Sequence, residues 1–210
     1  MRLLISLFVL SLLTACTPPL MNLTNAKNEV ENYYESGQYE NELNKIVSET
    51  LDQLNEIELP GNPAVIFDVD ETVLSNYSYI KELGFGYKHD LWQNWLKESK
   101  ATAINPTKQI YKWCIDNNIK VVFLTGRSKD VYQQTYRNLL LQGFTEIEKL
   151  ICRSASELKL SATEFKSNQR KTLSDSGYNI IATIGDLNSD LAGDNTGLKV
   201  KLPNYLYDFD

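Results

Sequence analysis

The stretch AVIFDVDET, residues 64–72, indicates how this chain folds. Four apolar residues run directly into carboxylates, which is the pattern of a buried strand that ends at a polar site. The preceding LPGNP, residues 59–63, stops any helix that approaches from the N-terminal side. Asp68 and Asp70 lie two positions apart at the end of this strand. The turn there can direct them to separate tasks, so that one attacks while the other handles a proton.

Further short apolar runs follow, separated by stretches with helical patterns, and they comprise residues 121–124, 150–152, 180–184 and 198–202. This alternation predicts a three-layer, Rossmann-like α/β domain with a mainly parallel sheet and helices on both faces. Residues 28–58 carry apolar residues at three- and four-residue spacing, interrupted by Gly37, and predict a helical N-terminal extension. The segment 75–105 is rich in Tyr and Trp and predicts a small cap beside the site.

Polar residues stand where these strands end, at the edge where α/β sheets bind ligands. Thr125 and Gly126 follow the second strand and offer a hydroxyl and a flexible backbone amide to a phosphate oxygen. Asp186 follows the fourth strand, and Asp190 comes shortly after it. Carboxylates gathered from two strand ends repel one another unless they share a hard cation such as Mg²⁺. Each signal alone is common at strand ends, but their ordered combination indicates a phosphate and metal site.

Four motifs resemble those of the haloacid dehalogenase superfamily. FDVDETVLSN, residues 67–76, is similar to the first motif in class B acid phosphatases, bacterial acid phosphatase lipoproteins and plant vegetative storage proteins. The resemblance extends from about Tyr33 to Pro203. The remaining motifs are FLTGR at residues 123–127, FKS at 165–167 with Arg170, and GDLNSDL at 185–191.

The resemblance implies an acid phosphatase that hydrolyses phosphate monoesters, with nucleoside monophosphates among the candidate substrates. It implies that Asp68 is the nucleophile and forms an aspartyl-phosphate, while Asp70 protonates the leaving oxygen and then activates water. The implied cofactor is Mg²⁺. Its implied ligands are Asp68, Asp186, Asp190 and the backbone carbonyl of Asp70, and Asp190 has the alternative task of orienting Lys166.

The phosphoryl oxygens are expected to lie against Thr125, the Gly126 amide and Lys166, again as the resemblance implies. Lys171 lies in the same predicted helix and is the alternative cation. Five residues along a helix differ by about 140 degrees in direction, so only one of the two lysines can point at the site. Lys166 is chosen because it stands in the matching motif.

The cap aromatics have two interpretations. Tyr77 and Trp92 follow the nucleophile closely in the chain and are predicted to line the leaving-group side of the site. The alternative is that they form the core of the cap, which is the commoner role of aromatic side chains. His89 is the chain's single histidine, and it has no partner motif from which a histidine-based mechanism could be built.

The composition is that of a packed globular protein. Of 210 residues, 42% are hydrophobic and 10% are aromatic, which excludes a disordered or fibrous chain. Lys and Arg total 21 against 27 Asp and Glu, so the formal net charge is -6, without a long basic run. Nucleic acid is therefore not an expected partner. Small phosphate esters remain compatible with this charge, because a metal and backbone amides can concentrate positive potential at one place.

The N-terminal residues carry a targeting signal. Residues 1–15 have a positive charge and an apolar run too short to span a bilayer, which predicts a signal peptide. LTAC, residues 13–16, resembles the lipobox of bacterial lipoproteins, which implies a lipidated Cys16 followed by a tether over residues 16–27. The alternative is an ordinary signal peptide with an incidental cysteine. From the resemblance to a lipobox we expect membrane attachment through Cys16 in a bacterial cell envelope, as an outer-membrane lipoprotein facing the periplasm or the exterior.

Two further alternatives and one pairing stay open at this point. The enzyme could pass the phosphoryl group to an alcohol instead of water, or the chain could be a storage or binding protein on a phosphatase scaffold. The intact Asp68 and Lys166 favour an enzyme. A disulfide between Cys114 and Cys152 is possible but not indicated, since both stand in apolar patterns that favour burial.

Overall fold

A computed structural model describes residues 20–59 and 61–209. The signal peptide and Cys16 lie outside the described residues. The helices are α1 (Leu23–Glu35), α2 (Gln38–Glu56), α3 (Tyr77–Glu82), α4 (His89–Glu98), α5 (Asn105–Asp116), α6 (Tyr132–Leu141), α7 (Ala162–Asp175) and α8 (Asn188–Leu191). The strands are β1 (Pro63–Phe67), β2 (Leu74–Ser75), β3 (Thr102–Ala103), β4 (Lys120–Ser128), β5 (Lys149–Arg153), β6 (Asn179–Gly185) and β7 (Leu198–Lys201).

The central sheet has five strands in the order β5-β4-β1-β6-β7, and each neighbouring pair is parallel. Its strands occupy the five apolar runs identified in the sequence. The strand β1 is in the middle, with Phe67 in register with Phe123 of β4 on one side and Ile184 of β6 on the other. The carboxyl ends of β1, β4 and β6 therefore meet at one edge. The predicted fold is confirmed.

Alternation along β1 supplies both hydrophobic layers. Val65 and Phe67 belong to the larger core cluster, which includes residues of α2 and α5. Ile66 belongs to a second cluster, together with Phe165 and Leu173 of α7. Burying one such large apolar side chain contributes about 1.5–3 kcal/mol. Helices thus cover both faces of the sheet. The packing of α7 on Ile66 positions this helix relative to the strand ends.

The N-terminal extension is a pair of helices that meet at Gly37. This glycine has a φ of 87°, a left-handed conformation that costs little without a Cβ atom. The first helix begins at Leu23, inside the segment 16–27 that the sequence analysis assigns to a tether. Asn22 explains this difference, because its side chain accepts a hydrogen bond of 2.9 Å from the backbone N–H of Asn25 and caps the helix.

The cap segment contains α3 and α4, and the short antiparallel pair β2–β3 closes it at its base. Tyr79 is buried, and its ring lies 5.6 Å from that of Trp92 and 5.5 Å from that of Trp95. These rings form the apolar centre of the cap. His89 is exposed at the start of α4. Cys114 and Cys152 are buried free thiols, so they do not form a disulfide in this structure.

Candidate active site

The turn after β1 directs the two aspartates of the first motif. The Asp68 N–H donates to the carbonyl of Ile184 at 2.9 Å, which continues the pairing of β1 with β6 and holds Asp68 at the sheet edge. The chain reverses after Asp70, and Glu71 has a φ of 52°. The backbone N–H groups of Val73 and Leu74 both donate to the Val69 carbonyl. Asp68 therefore faces the sheet edge, whereas Asp70 lies on the turn.

Three buried carboxylates meet at this edge. One oxygen each of Asp68, Asp186 and Asp190 lies within 4.8 Å of the others. Gly185 permits this arrangement, because a Cβ atom there would lie 2.3 Å from Asp190. Lys166 completes the cluster: its Nζ donates to Asp68 Oδ1 at 2.6 Å and also to Asp190 Oδ1. The structure thus brings together four of the residues that the sequence analysis names.

The electrostatics show that one lysine does not balance this cluster. Burial raises the pKa of Asp68 well above its usual range, and Asp190 and Asp186 raise it further against the opposing effect of Lys166. Burial and the charge of Asp190 raise the pKa of Asp186 to about 8. Lys166 is itself buried, which lowers its pKa, but the charges of Asp68 and Asp190 outweigh burial and the pKa is raised. Lys166 therefore favours its charged form, whereas the raised pKa values of Asp68 and Asp186 show that ionising all three carboxylates around a single lysine is unfavourable.

This donor set fits a hard divalent cation. The ligand atoms are carboxylate oxygens, which Mg²⁺ and Ca²⁺ prefer. A bound divalent cation would favour the ionised form of Asp186, which burial and Asp190 disfavour in its absence. Asp70 differs from the other three, because its carboxylate is not part of this group.

Arg127 binds the carboxylate of Asp70. Its Nη2 donates to Asp70 Oδ1 at 2.6 Å and its Nε to Asp70 Oδ2 at 3.0 Å, a two-pronged contact typical of arginine. Asn76 Nδ2 donates to the same Oδ1 at 2.8 Å. Arg127 is buried, and its Nη1 also donates to Thr135 at 3.2 Å. The sequence analysis quoted Arg127 and Asn76 within motifs but gave neither a task.

Glu71 connects the first motif to the cap and to the C-terminal segment. Its carboxylate accepts hydrogen bonds from the Asn76 N–H at 2.6 Å, from Asn76 Nδ2 at 3.0 Å and from the Tyr207 hydroxyl at 2.6 Å. Burial and the charge of Asp70 raise the pKa of Glu71 to about 7. Trp95 of the cap donates from Nε1 to Asn76 Oδ1 at 2.7 Å. Asn76 is thus fully hydrogen-bonded between the cap and the two carboxylates.

The end of β4 places the second motif beside the carboxylates. Thr125 is fully buried, and its Oγ1 accepts a hydrogen bond of 3.1 Å from the Arg127 N–H. Gly126 is exposed at the mouth of the site. The structure therefore places a buried hydroxyl and an exposed glycine at this point, and Arg127 links the loop to Asp70.

The two lysines of α7 lie in different environments. A capping box between Ser161 and Glu164 starts this helix, and Lys166 then lies in the cluster at the sheet edge. Lys171 is on the surface, with 68% of its side chain exposed, and it pairs with Asp175 at 2.8 Å. The separation in direction expected from helix geometry is therefore present.

Arg170 supports the loop that carries Asp190. It is fully buried, and it donates to the backbone carbonyl of Asp190 at 2.6 Å, to that of Asp194 at 3.2 Å and to that of Ala192. The third motif therefore supplies two buried cations with separate tasks. Lys166 contacts carboxylates directly, whereas Arg170 holds the backbone of the loop.

The two aromatic candidates occupy different places in the cap. Tyr77 stacks on Tyr34 of α1, with ring centroids 4.8 Å apart and ring planes 11° apart, and its hydroxyl donates to Glu35 at 3.0 Å. Trp92 packs against Tyr79 in the apolar centre of the cap. Both are partly buried. Tyr34 of the N-terminal extension is not among the site residues predicted from the sequence, because a helical pattern does not show which part of the fold a residue of that helix faces.

A parallel sheet with buried carboxylates, a buried lysine and a threonine–glycine turn at one edge defines the HAD-like class of α/β phosphatases. Residues 19–210 match the HAD superfamily, subfamily IIIB (acid phosphatase). The chain therefore belongs to this family, and the prediction of an acid phosphatase is confirmed.

Relatives and solved structures agree with this assignment. The chain is 32% identical over 184 residues to acid phosphatase 1 of Solanum lycopersicum, which covers 85% of this chain and 72% of the relative. It is 32% identical over 182 residues to the stem 31 kDa glycoprotein of Glycine max, covering 84% and 72%. The structure of the class C acid phosphatase from Bacillus anthracis with tungstate bound superposes with a TM-score of 0.72 at 19% identity, covering 89% of this chain and 86% of that one.

These comparisons correct the predicted location. Curated relatives of the chain are proteins of soybean, tomato and Arabidopsis, not bacterial outer-membrane lipoproteins. The expectation of a bacterial cell envelope is therefore wrong. It depended on the lipobox-like residues 13–16, a short pattern that carries no information about the catalytic domain. Over residues 20–59 and 61–209, no helix combines the length and the apolar character needed to cross a membrane.

Proposed function

We propose that this acid phosphatase depends on Mg²⁺ and hydrolyses phosphate monoesters through an aspartyl-phosphate on Asp68. The observation that carries the proposal is the buried group of Asp68, Asp186 and Asp190 around Lys166 at the carboxyl edge of the sheet. Mg²⁺ would be held by these three carboxylates, and we assign it a further contact to the backbone carbonyl of Asp70. When bound, the metal supplies positive charge that offsets the carboxylates and the phosphoryl oxygens.

Asp68 is the proposed nucleophile. Its backbone N–H is hydrogen-bonded to Ile184 at the end of β1 and its carboxylate is held by Lys166, so little freedom is lost on reaction. One of its oxygens attacks phosphorus, the bond from phosphorus to the leaving oxygen breaks, and an acyl phosphate forms on Asp68. Water then attacks this phosphorus and releases inorganic phosphate together with the free carboxylate.

Lys166, Thr125 and the Gly126 amide are the proposed partners of the transferring oxygens. Phosphoryl transfer proceeds through a loose transition state with negative charge on the equatorial oxygens, so fixed positive and donor groups supply most of the catalysis. Lys166 already lies within hydrogen-bond distance of Asp68, which is where that charge develops. Asp190 orients the ammonium group from its other side.

Asp70 is the proposed acid and base. It would give a proton to the leaving oxygen and later take one from water. Arg127 and Asn76 hold its carboxylate through four donated hydrogen bonds, which fixes its direction on the turn. The cap reaches the same group, since Trp95 donates to Asn76.

Phosphate monoesters are the proposed substrates, with nucleoside monophosphates among them. The matching solved structure contains tungstate, which is an oxyanion like phosphate. Tyr77 is proposed for the leaving-group side. For Trp92, the other candidate, the packing on Tyr79 favours a role in the core of the cap. Transfer to water is favoured over transfer to an alcohol by the family assignment.

The test is phosphate release from nucleoside monophosphates, sugar phosphates and an aryl phosphate, each with Mg²⁺ and with excess EDTA. We expect activity with Mg²⁺ and its loss with EDTA, restored by added Mg²⁺. An added nucleoside acceptor should not yield a new phosphate ester as the main product. Undiminished turnover in EDTA would contradict metal dependence, and no turnover of any ester would favour the storage-protein alternative.

The signal peptide at residues 1–15 and lipidation at Cys16 stay predictions about the start of the chain. They are tested by expressing the full chain and its Cys16→Ser variant and separating membranes after a high-salt wash. We expect the substitution to release the protein from the membrane fraction. Equal distribution of the two proteins would contradict lipidation.

A further inference from the structure

The segment after β7 passes over the carboxylate cluster. Leu202 is buried, and its N–H donates to the Gly185 carbonyl at 2.9 Å, which keeps this segment against the end of β6. Lys201 Nζ donates to the backbone carbonyl of Asp186. Three residues after Lys201, Asn204 Nδ2 donates to Asp186 Oδ2 at 2.7 Å. The C-terminal segment therefore contacts both the backbone and the side chain of Asp186.

The carboxylate of Asp186 is held on both of its oxygens. Asn204 occupies Oδ2, and Thr72 Oγ1 donates to Oδ1 at 2.9 Å from the turn after β1. A carboxylate oxygen accepts more than one contact, so each oxygen keeps capacity for a further partner. Thr72 is fixed by its own surroundings, since its carbonyl accepts a hydrogen bond of 2.7 Å from Thr107. The two donors restrain rotation of the carboxylate.

We propose that Asn204 is a positioning residue that orients Asp186 for Mg²⁺. The proposal rests on the proposed function, because it takes Asp186 as a ligand of the metal. Groups that hydrogen-bond to ligating carboxylates keep them in the binding orientation, and their loss typically lowers metal affinity about 10- to 100-fold. Asn204 acts here from a segment that none of the four sequence motifs includes.

The geometry of Asn204 allows its two roles to be separated. Its Oδ1 accepts a hydrogen bond of 2.8 Å from the Leu206 N–H, which is a local turn contact, while its Nδ2 donates to Asp186. Serine at this position retains an acceptor for the turn but has no amide donor of that reach. Alanine lacks both groups. Asn204→Ser therefore tests the contact to Asp186, and comparison with Asn204→Ala tests the turn.

The experiment is calorimetric titration of the full chain with MgCl₂, without substrate, for the wild type, Asn204→Ser, Asn204→Ala and Tyr205→Phe. Tyr205→Phe is the matched control in the same segment, because phenylalanine keeps the ring that packs against Tyr33. We expect the Mg²⁺ dissociation constant to rise about 10-fold or more in both Asn204 variants and to stay unchanged in the control. Circular dichroism and thermal unfolding in EDTA check the fold of each.

The outcomes separate the proposal from the function on which it rests. Wild-type affinity for Mg²⁺ in Asn204→Ser overturns the positioning role while leaving the phosphatase assignment intact. If only Asn204→Ala binds Mg²⁺ weakly, Asn204 acts through the turn alone, and the positioning role is again overturned. An equal loss in Tyr205→Phe would show a general effect of the segment and overturn it as well. If the wild type binds no Mg²⁺, the proposed cofactor fails together with this role.

Discussion

Replacing Lys166 by Met removes the buried cation that contacts both Asp68 and Asp190, while it keeps an unbranched apolar stem in the same space. Lys166 Nζ lies 2.6 Å from Asp68 Oδ1, so its charge acts where the phosphoryl group is proposed to transfer. Loss of one such preorganised group costs about 3–4 kcal/mol of transition-state stabilisation, or about 10²–10³ in kcat. Lys171→Met is the matched control, because that side chain is 68% exposed and pairs only at the surface.

The assay is steady-state release of phosphate at saturating Mg²⁺, with circular dichroism and thermal unfolding recorded for both variants. Removal of one partner from a buried ion pair costs about 3–5 kcal/mol of stability, so activity is compared only where the variant is folded. We expect a large loss of kcat in Lys166→Met and less than about a twofold change in Lys171→Met, since exposed pairs contribute little. A folded Lys166→Met with wild-type kcat, or the opposite ranking, would refute the assignment of the third motif.

Three further predictions concern charge, proton transfer and substrate. Burial raises the pKa of Asp186 to about 8 and that of Glu71 to about 7, so the folded metal-free protein binds more protons than the unfolded chain. Its melting temperature in EDTA should therefore fall between pH 5 and pH 8. A rise of the melting temperature over this range would contradict the prediction. Arg127→Met should lower kcat about 10²-fold by freeing the acid–base aspartate, whereas unchanged kcat and pH profile would exclude that role. Tyr77→Ala should raise KM for nucleoside and aryl phosphates more than for glycerol phosphate. Trp92→Ala should mainly lower the melting temperature. Equal effects on KM for all substrates would indicate that Tyr77 belongs to the core of the cap instead.

The sheet and the residues at its strand ends could be predicted from the sequence because both depend on local patterns. Apolar runs of strand length separated by helical stretches leave few arrangements other than a parallel α/β sheet. Residues such as Asp68 and Asp186 directly follow such runs, so the topology alone brings them to one edge. Helix geometry predicts that only one of Lys166 and Lys171 points at the site, and the resemblance to the third motif selects Lys166. The structure places the two lysines in different surroundings.

The supporting contacts could not be predicted, because they join residues that are distant in the chain without any periodic pattern. Tyr207 contacts Glu71 across 136 positions, and Asn204 belongs to a loop whose path no strand or helix signal determines. Arg127 was visible within its motif, but only the folded chain shows which carboxylate it binds. The start of α1 lies ahead of the predicted extension, because the side chain of Asn22 caps a helix there before the apolar spacing begins.

The central claim is that the phosphoryl group passes through Asp68. It is tested most directly by mass spectrometry of Asp70→Asn, quenched in acid during turnover of an aryl phosphate. An aryl leaving group needs little protonation, so the first step proceeds, whereas hydrolysis of the intermediate lacks its base and slows. We predict a peptide containing Asp68 that carries the mass of one phosphoryl group and disappears when Asp68→Asn is added. A phosphoryl group on another residue, or none while phosphate is still released, would contradict the account.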